Sequence, residues 1–336
     1  WPSYSSEEIE AVTNILSSGK VNYWTGSECR KFEKEFASFT KTKFAIALAN
    51  GTVALDVALK GLNIGPGDEV IVTSRTFIAS VSSIINAGAK PIFADVDKRS
   101  QNINSRTIAK VLTSKTKAII CVHLAGWPCD MDPIIELGKN HDLKIIEDCA
   151  QAHGAKYKGR PVGSIGDVGC WSFCQDKIIS TGGEGGMVTT NNRELWSKMW
   201  SFKDHGKNWN KINAKNKSPG FQWIHDSFGT NWRMTEMQGV IGRIQLTKLP
   251  EWNKKRLNYA KQIWNASNET NCLFAPNLSC EGCDGICDKN SGCIHAAYKC
   301  YVFFDGTRQK RDEFLDKINS RGVPCFTGTC SEVYNE

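Results

Sequence analysis

Lys177 closes the stretch Ser172-Phe173-Cys174-Gln175-Asp176-Lys177, and Ser180-Thr181-Gly182-Gly183-Glu184-Gly185-Gly186 follows it. Upstream, Glu147-Asp148-Cys149-Ala150-Gln151 sets a carboxylate at the end of another apolar run. One amine, one carboxylate and a group of small hydrogen-bond donors at successive strand ends are the parts that pyridoxal 5'-phosphate (PLP) chemistry requires. The amine forms a Schiff base with the cofactor aldehyde, and the carboxylate keeps the ring nitrogen protonated so that the ring can act as an electron sink. The donors hold a dianionic phosphate. A lone lysine after an apolar run is ordinarily a solvated surface charge. The ordered set, not any member of it, carries the reading.

Asp148 follows Ile145-Ile146, which puts it at the carboxyl end of a strand, where ligands gather in open α/β sheets. Its neighbour Glu147 should then point to the opposite face. From the strand end alone, Asp148 fits a helix N-cap equally well. Asn50-Gly51-Thr52 lies between an apolar run and a helical pattern. Helix-start amides and a hydroxyl there favour a phosphate dianion, with an ordinary helix start as the plainer alternative. The glycine turn Gly182–Gly186 would let the chain pass close beside a cofactor.

These motifs resemble those of the DegT/StrS sugar aminotransferases, fold-type I PLP enzymes that act mostly on nucleotide-linked keto sugars. The resemblance runs from Ser3 to the end of the chain. It is densest at Gly19-Lys20-Val21-Asn22-Tyr23-Trp24-Thr25-Gly26, Asn50-Gly51-Thr52-Val53-Ala54-Leu55, His123-Leu124-Ala125-Gly126, the Asp148 and Lys177 segments, Asp204-His205-Gly206, and Gly229-Thr230-Asn231-Trp232-Arg233-Met234-Thr235-Glu236. It implies that Lys177 and Asp148 are catalytic, and that Gly51, Thr52 and Ser172 contact the phosphate. It further implies that Phe77 stacks on the ring, a role for which a core phenylalanine is the alternative, and that Gln151 approaches the ring hydroxyl. Tyr23, Trp24 and Thr25 resemble the loop that lines the sugar pocket, where a plain tight turn at Gly26 is the other reading. Asn231 and Arg233 resemble residues that reach into a partner subunit, Asn231 toward its PLP phosphate. A homodimer with shared sites follows from the resemblance, whereas Asn231 alone would pass for a turn residue. Cys174 and Gln175 stand where the family often has histidine.

The activity so implied is transfer of an amino group, from glutamate, to a keto group of a nucleotide-linked sugar in a ping-pong course. One rival is the family's dehydratase branch, which carries histidine where this chain has Lys177. Another is a non-catalytic PLP-binding regulator.

The elements that must position these residues are legible as apolar runs at Ala45–Ala49, Glu69–Thr73, Pro91–Ala94, Ala118–Val122, Lys144–Glu147, Val168–Phe173 and Gly186–Thr190, alternating with helical patterns such as Val53–Leu62 and Phe77–Ala87. Near-continuous apolar strands between helices predict an α/β fold with a mainly parallel sheet buried on both faces. The resemblance implies an aspartate aminotransferase-like large domain of seven strands, one of them antiparallel, plus a smaller α+β C-terminal domain. The expected division is an N-terminal helix over residues 1–18 packed on the smaller domain, a PLP-binding domain over 19–249, and a small domain over 250–336. Ser5 and Glu8 predict a capping box and Gly19 a helix stop. A helix from Thr235 should break at Pro250 and resume to Trp264. Beyond it a strand is expected at Tyr298–Phe304 and a helix at Arg308–Ser320. Lys207–Ser218, rich in Asn and Lys, reads as a mobile surface loop.

Among 336 residues, 42 basic against 35 acidic side chains give a net charge of +7. That mild excess suits an anionic nucleotide ligand and is too diffuse for nucleic acid. No apolar run reaches membrane-helix length, so no membrane partner is expected, and with no leader pattern a cytoplasmic location is. The chain opens on Trp1 and stops soon after a helical pattern, so it is expected to lack a C-terminal segment. Of 14 cysteines, six (Cys29, Cys121, Cys129, Cys149, Cys170, Cys174) read as reduced or buried thiols. Within an insert at 280–293, Cys280, Cys283, Cys287 and Cys293 form C-x2-C-x3-C-x5-C, which could hold a zinc ion or an iron–sulfur cluster or be a reduced loop.

Overall fold

The computed structural model describes residues 1–214, 223–276, 292–328 and 333. Seven strands form the central sheet: β1 (Phe44–Leu48), β2 (Glu69–Thr73), β3 (Lys90–Ala94), β4 (Thr116–Val122), β5 (Lys144–Asp148), β6 (Val168–Ser172) and β7 (Gly186–Thr190). Their spatial order is β1-β7-β6-β5-β4-β2-β3. Strand β7 runs antiparallel to both neighbours, and the other pairs are parallel. Alternate residues serve opposite faces, as the pleat demands. Ile46, Leu48, Val70, Val72, Ile120 and Ile146 pack toward the helices Gly51–Gly61 and Arg193–Lys203. Ala45, Ala47, Trp171 and Met187 pack the other way, toward the helix Glu28–Thr40.

The helix expected to break at Pro250 runs unbroken over Glu236–Asn268 with that proline inside it. A proline removes one helical hydrogen bond and crowds the preceding turn. Burial of Leu246 and Leu249 before it, and of Ala260 and Trp264 after it, holds both halves in one line. The first helix, Ser6–Ser18, has the predicted ends: the Ser5 amide donates to the Glu8 carboxylate at 2.9 Å, and Gly19 is left-handed with φ 67°. It lies along the long helix across residue 250, with Glu8 2.8 Å from Lys248 and Trp1 edge-on to Trp252. The expected strand at 298–304 is reduced to Phe303–Phe304, paired antiparallel with Leu273–Phe274, and a helix follows at Arg308–Asn319.

The first part of the expected Lys207–Ser218 loop is anchored: Trp209 begins a helical turn and packs edge-on against Trp196 and Trp200. Cys280, Cys283 and Cys287 fall outside the described residues. Cys293 is buried, and its sulfur accepts the Lys158 amide at 3.2 Å. Cys29, Cys121, Cys129, Cys149, Cys170, Cys174, Cys272, Cys300 and Cys325 are free thiols. Among the described residues no helix is long and apolar enough to cross a membrane.

Glu147 points away from Asp148 and into the core, as alternation requires. Its carboxylate accepts the amides of Gly163, Ile165 and Gly166 at 2.7–2.9 Å and meets His123 Nε2 at 3.1 Å. His123 Nδ1 accepts the Cys129 amide at 3.0 Å, so the ring is neutral with its proton on Nε2. Burial pushes Glu147 up, but the His123 bond and the amides outweigh it and hold the group below the usual carboxylate range. Cys149 lies beside this pair in a metal-like grouping, yet the carboxylate and both ring nitrogens are already committed. Glu147→Ala would orphan three amides and an imidazole, so urea unfolding should show a loss of at least about 3 kcal/mol. Because the folded-state pKa is depressed, the stability this group adds is complete above the ordinary glutamate range and is lost as pH falls through the lower folded value. An unchanged unfolding midpoint in the variant would contradict this assignment.

Candidate active site

A cavity of about 570 Å³ opens at the carboxyl ends of β5 and β6, walled by the start of the Gly51–Gly61 helix, the 76–80 segment, Lys177 and Tyr298. Its first end is built for an anion. The Asn50 side chain caps the helix by accepting the Val53 amide at 3.0 Å, while the first-turn amides have no partner within a helix by construction. A Cβ on Gly51 would lie 2.5 Å from Ser172 Cβ and 3.1 Å from Ser172 Cα. Glycine is therefore what lets the helix start sit against β6, bringing Thr52 and the Ser172 hydroxyl to the same end of the cavity.

The same cavity is lined by Asp148, only 7% exposed. Its carboxylate accepts the Ser80 hydroxyl at 2.8 Å and the Ala150 amide at 3.1 Å. The residues after it form turns, so Asp148 caps no helix. Burial pushes its pKa up, with the Ser80 and Ala150 bonds and the nearby charge of Lys177 opposing. No cation touches it directly among the described residues, so a positively charged ring nitrogen would supply the missing partner. Gln151 Oε1 accepts the Ala125 amide at 2.6 Å, which fixes the orientation of the amide that lines the cavity. Phe77 stands at the mouth with 61% exposure, which excludes the core alternative.

Lys177 Nζ reaches Asp176 Oδ2 at 3.1 Å and the Tyr298 hydroxyl at 3.3 Å. The loop itself is tethered, since the Lys177 carbonyl accepts the Trp1 indole N–H at 2.7 Å and the Ser180 amide donates to Gln245 at 2.9 Å. Ser80, Asp176 and Tyr298 escaped the sequence reading. Ser80 and Tyr298 come from elements with no motif of their own, and only Asp176 was adjacent to a recognised residue.

The proposed sugar-loop residues behave differently. Tyr23 is 1% exposed, and its hydroxyl donates to Glu33 and accepts from Trp200 Nε1, with Lys203 Nζ 3.5 Å from the ring centroid. In this subunit it is a core side chain whose ring covers the buried lysine. Trp24 packs edge-on to Trp200 beneath Lys207, and Thr25 closes a turn onto Asn22. Neither lines this subunit's cavity. Asn231 is exposed and pairs through its backbone with Asp204, while Arg233 Nη1 is held by Asp204 at 2.8 Å. Both lie off this subunit's cavity wall.

The residues present fit PLP: an anion cradle that a Cβ would fill, a buried carboxylate short of a cation among the described residues, and an amine lining the same cavity. Asp148→Asn should leave the fold intact and cut amino transfer by about 100-fold or more, because a neutral amide cannot stabilise a charged ring. Since burial raises the Asp148 pKa, affinity for a cationic ring should be full above that raised value and fall as pH drops through it, read by equilibrium dialysis. Wild-type turnover in Asp148→Asn would overturn this role. Gly51→Ala must push the helix start off Ser172, a strain of about 1–3 kcal/mol, and cofactor affinity should fall at least 5-fold; unchanged affinity would show that the close approach is dispensable.

The family model for the DegT/DnrJ/EryC1/StrS aminotransferases matches residues 2–327. The chain is 42% identical over 259 residues to GDP-perosamine synthase of Escherichia coli O157:H7, covering 77% of this chain and 68% of that protein. It is 38% identical over 322 residues to dTDP-3-amino-3,4,6-trideoxy-alpha-D-glucose transaminase of Streptomyces venezuelae, covering 96% and 77%. The X-ray structure of an aminotransferase from Psychrobacter cryohalolentis superposes with a TM-score of 0.95 at 56% identity, covering all of this chain and 85% of that one. With the lysine, the carboxylate and the anion cradle in one cavity, these matches establish that the chain belongs to the DegT/DnrJ/EryC1/StrS aminotransferase family.

Proposed function

We propose that this protein transfers an amino group from glutamate to a keto group of a nucleotide-linked sugar, using PLP held in the cavity beside Lys177. The observation that carries the reading is the convergence of Lys177, Asp148 and the Gly51–Ser172 cradle on one space. When bound, PLP supplies an aldehyde that exchanges amines and a ring that accepts electrons. The helix start at Gly51 and Thr52, with Ser172, grips the phosphate. Asp148 holds a proton on the ring nitrogen, and Gln151 and Phe77 set the ring's orientation. Lys177 Nζ would move the proton from the donor's α-carbon to the former aldehyde carbon in the first half of the cycle, and in the second half carry a proton the opposite way onto the sugar carbon, a general acid–base role. Lys177 is the feature that favours transfer over the dehydratase reading, and its company with Asp148 favours catalysis over a purely regulatory role.

The purified protein with PLP, 15N-glutamate and a panel of UDP-, dTDP- and GDP-linked keto sugars should yield a 15N-amino sugar and 2-oxoglutarate in equal amounts. A deoxygenated sugar, or label that never leaves glutamate with any acceptor, would overturn the proposal.

The active unit in this reading is a homodimer in which Asn231 completes the partner's phosphate cup. Support comes from the outward position of Asn231 and from Trp223 and Phe228, which are 82% and 99% exposed on the same segment. Mixing inactive Lys177→Ala subunits with inactive Asn231→Ala subunits should restore activity, because each mixed dimer then holds one intact site. No recovery after confirmed subunit exchange would refute sharing.

A further inference from the structure

Lys177 does not face the cavity alone. Besides its 3.1 Å contact with Asp176 Oδ2 and 3.3 Å contact with the Tyr298 hydroxyl, Nζ lies 5.1 Å from the centroid of the Tyr298 ring. The Tyr298 hydroxyl donates to the same Asp176 oxygen at 2.5 Å. Its proton is thereby committed, and toward Lys177 the hydroxyl oxygen can only accept. An ammonium has three N–H donors, of which this pair takes two. Asp176 is half-exposed and Tyr298 is buried, and both line the cavity. Burial pushes Asp176 up, but the Tyr298 bond and the Lys177 charge prevail and hold it below the usual carboxylate range. The acceptor is therefore charged at neutral pH. Tyr298 arrives from the C-terminal part of the chain, far from Lys177 in sequence, so its meeting with this loop is a tertiary arrangement and not a local turn.

A lysine that is covalently engaged in one stage of a cycle and free in another faces a physical problem in the free stage. Its long side chain gains rotamer freedom, and its ammonium is drawn to any anion in reach, including the substrate. We propose that Asp176 and Tyr298 are positioning residues that receive the Lys177 amine whenever it is released, holding it at the cavity wall within reach of the reacting carbon. The aspartate supplies the charge, and the tyrosine aims both the carboxylate and the amine. This deepens the proposed function but rests only on Lys177 being the reactive amine.

The cofactor-free protein provides a test that needs neither donor nor acceptor sugar. Brief acetic anhydride labelling at pH 8, read by mass spectrometry with exposed Lys43 as internal reference, reports how firmly Lys177 is held. Asp176→Asn should raise Lys177 acetylation about 3-fold, the scale of a partly exposed ion pair. Tyr298→Phe should raise it too, and Asp176→Glu should bring it back toward the parent. In the PLP-loaded enzyme Asp176→Asn should lower kcat for the amino donor and leave its KM unchanged. Equal Lys177 labelling in Asp176→Asn and the parent, or an increase shared by Lys43, would overturn the proposal. Because labelling precedes any turnover, that failure is distinct from failure to find an amino-sugar product.

Discussion

The proposed chemistry depends on burying one carboxylate, Asp148, to which no cation among the described residues is paired. A desolvated carboxylate with only a serine hydroxyl and one amide for company is energetically unfinished. Ser80 and Ala150 orient it but do not neutralise it. Glu147, one residue earlier on the same strand, shows the contrasting solution, with three amides and an imidazole that leave nothing to bind. Adjacent carboxylates on opposite faces of β5 thus have contrasting surroundings, one fully committed within the core and one lining the cavity.

The sheet order turns that local demand into a site. Neighbouring β5 and β6 set Asp148 beside Ser172, and the approach of the Gly51 helix start to β6 adds the anion cradle. The loop leaving β6 carries Lys177 back over the same cavity and is pinned from behind by Trp1 and Gln245. The helix start and the carboxylate are therefore both fixed by backbone packing.

Much of this was legible in the sequence because it is local. The seven strands were apolar runs with clear punctuation, and Asp148 and Ser172 end their strands with Lys177 in the loop just after, so position in the run predicts position in space. What escaped depends on distant partners. Ser80 matters only because Asp148 lies across from it, and Tyr298 only because the chain returns to the Lys177 loop after the long helix. Pro250 was read as a break because local chemistry disfavours it, yet burial on both sides of it wins. Tyr23 was read as a sugar-loop residue, but its ring is needed to cover Lys203, whose ammonium has no exposed surface.

The central claim is that Lys177 is the amine that carries the cofactor. Borohydride reduction of the PLP-loaded protein, followed by proteolysis and mass mapping, tests it in one step, because reduction makes the lysine–cofactor link permanent. The account predicts one pyridoxyl group per chain, on Lys177. A group found on another lysine, such as Lys299 on the same cavity wall, would contradict it.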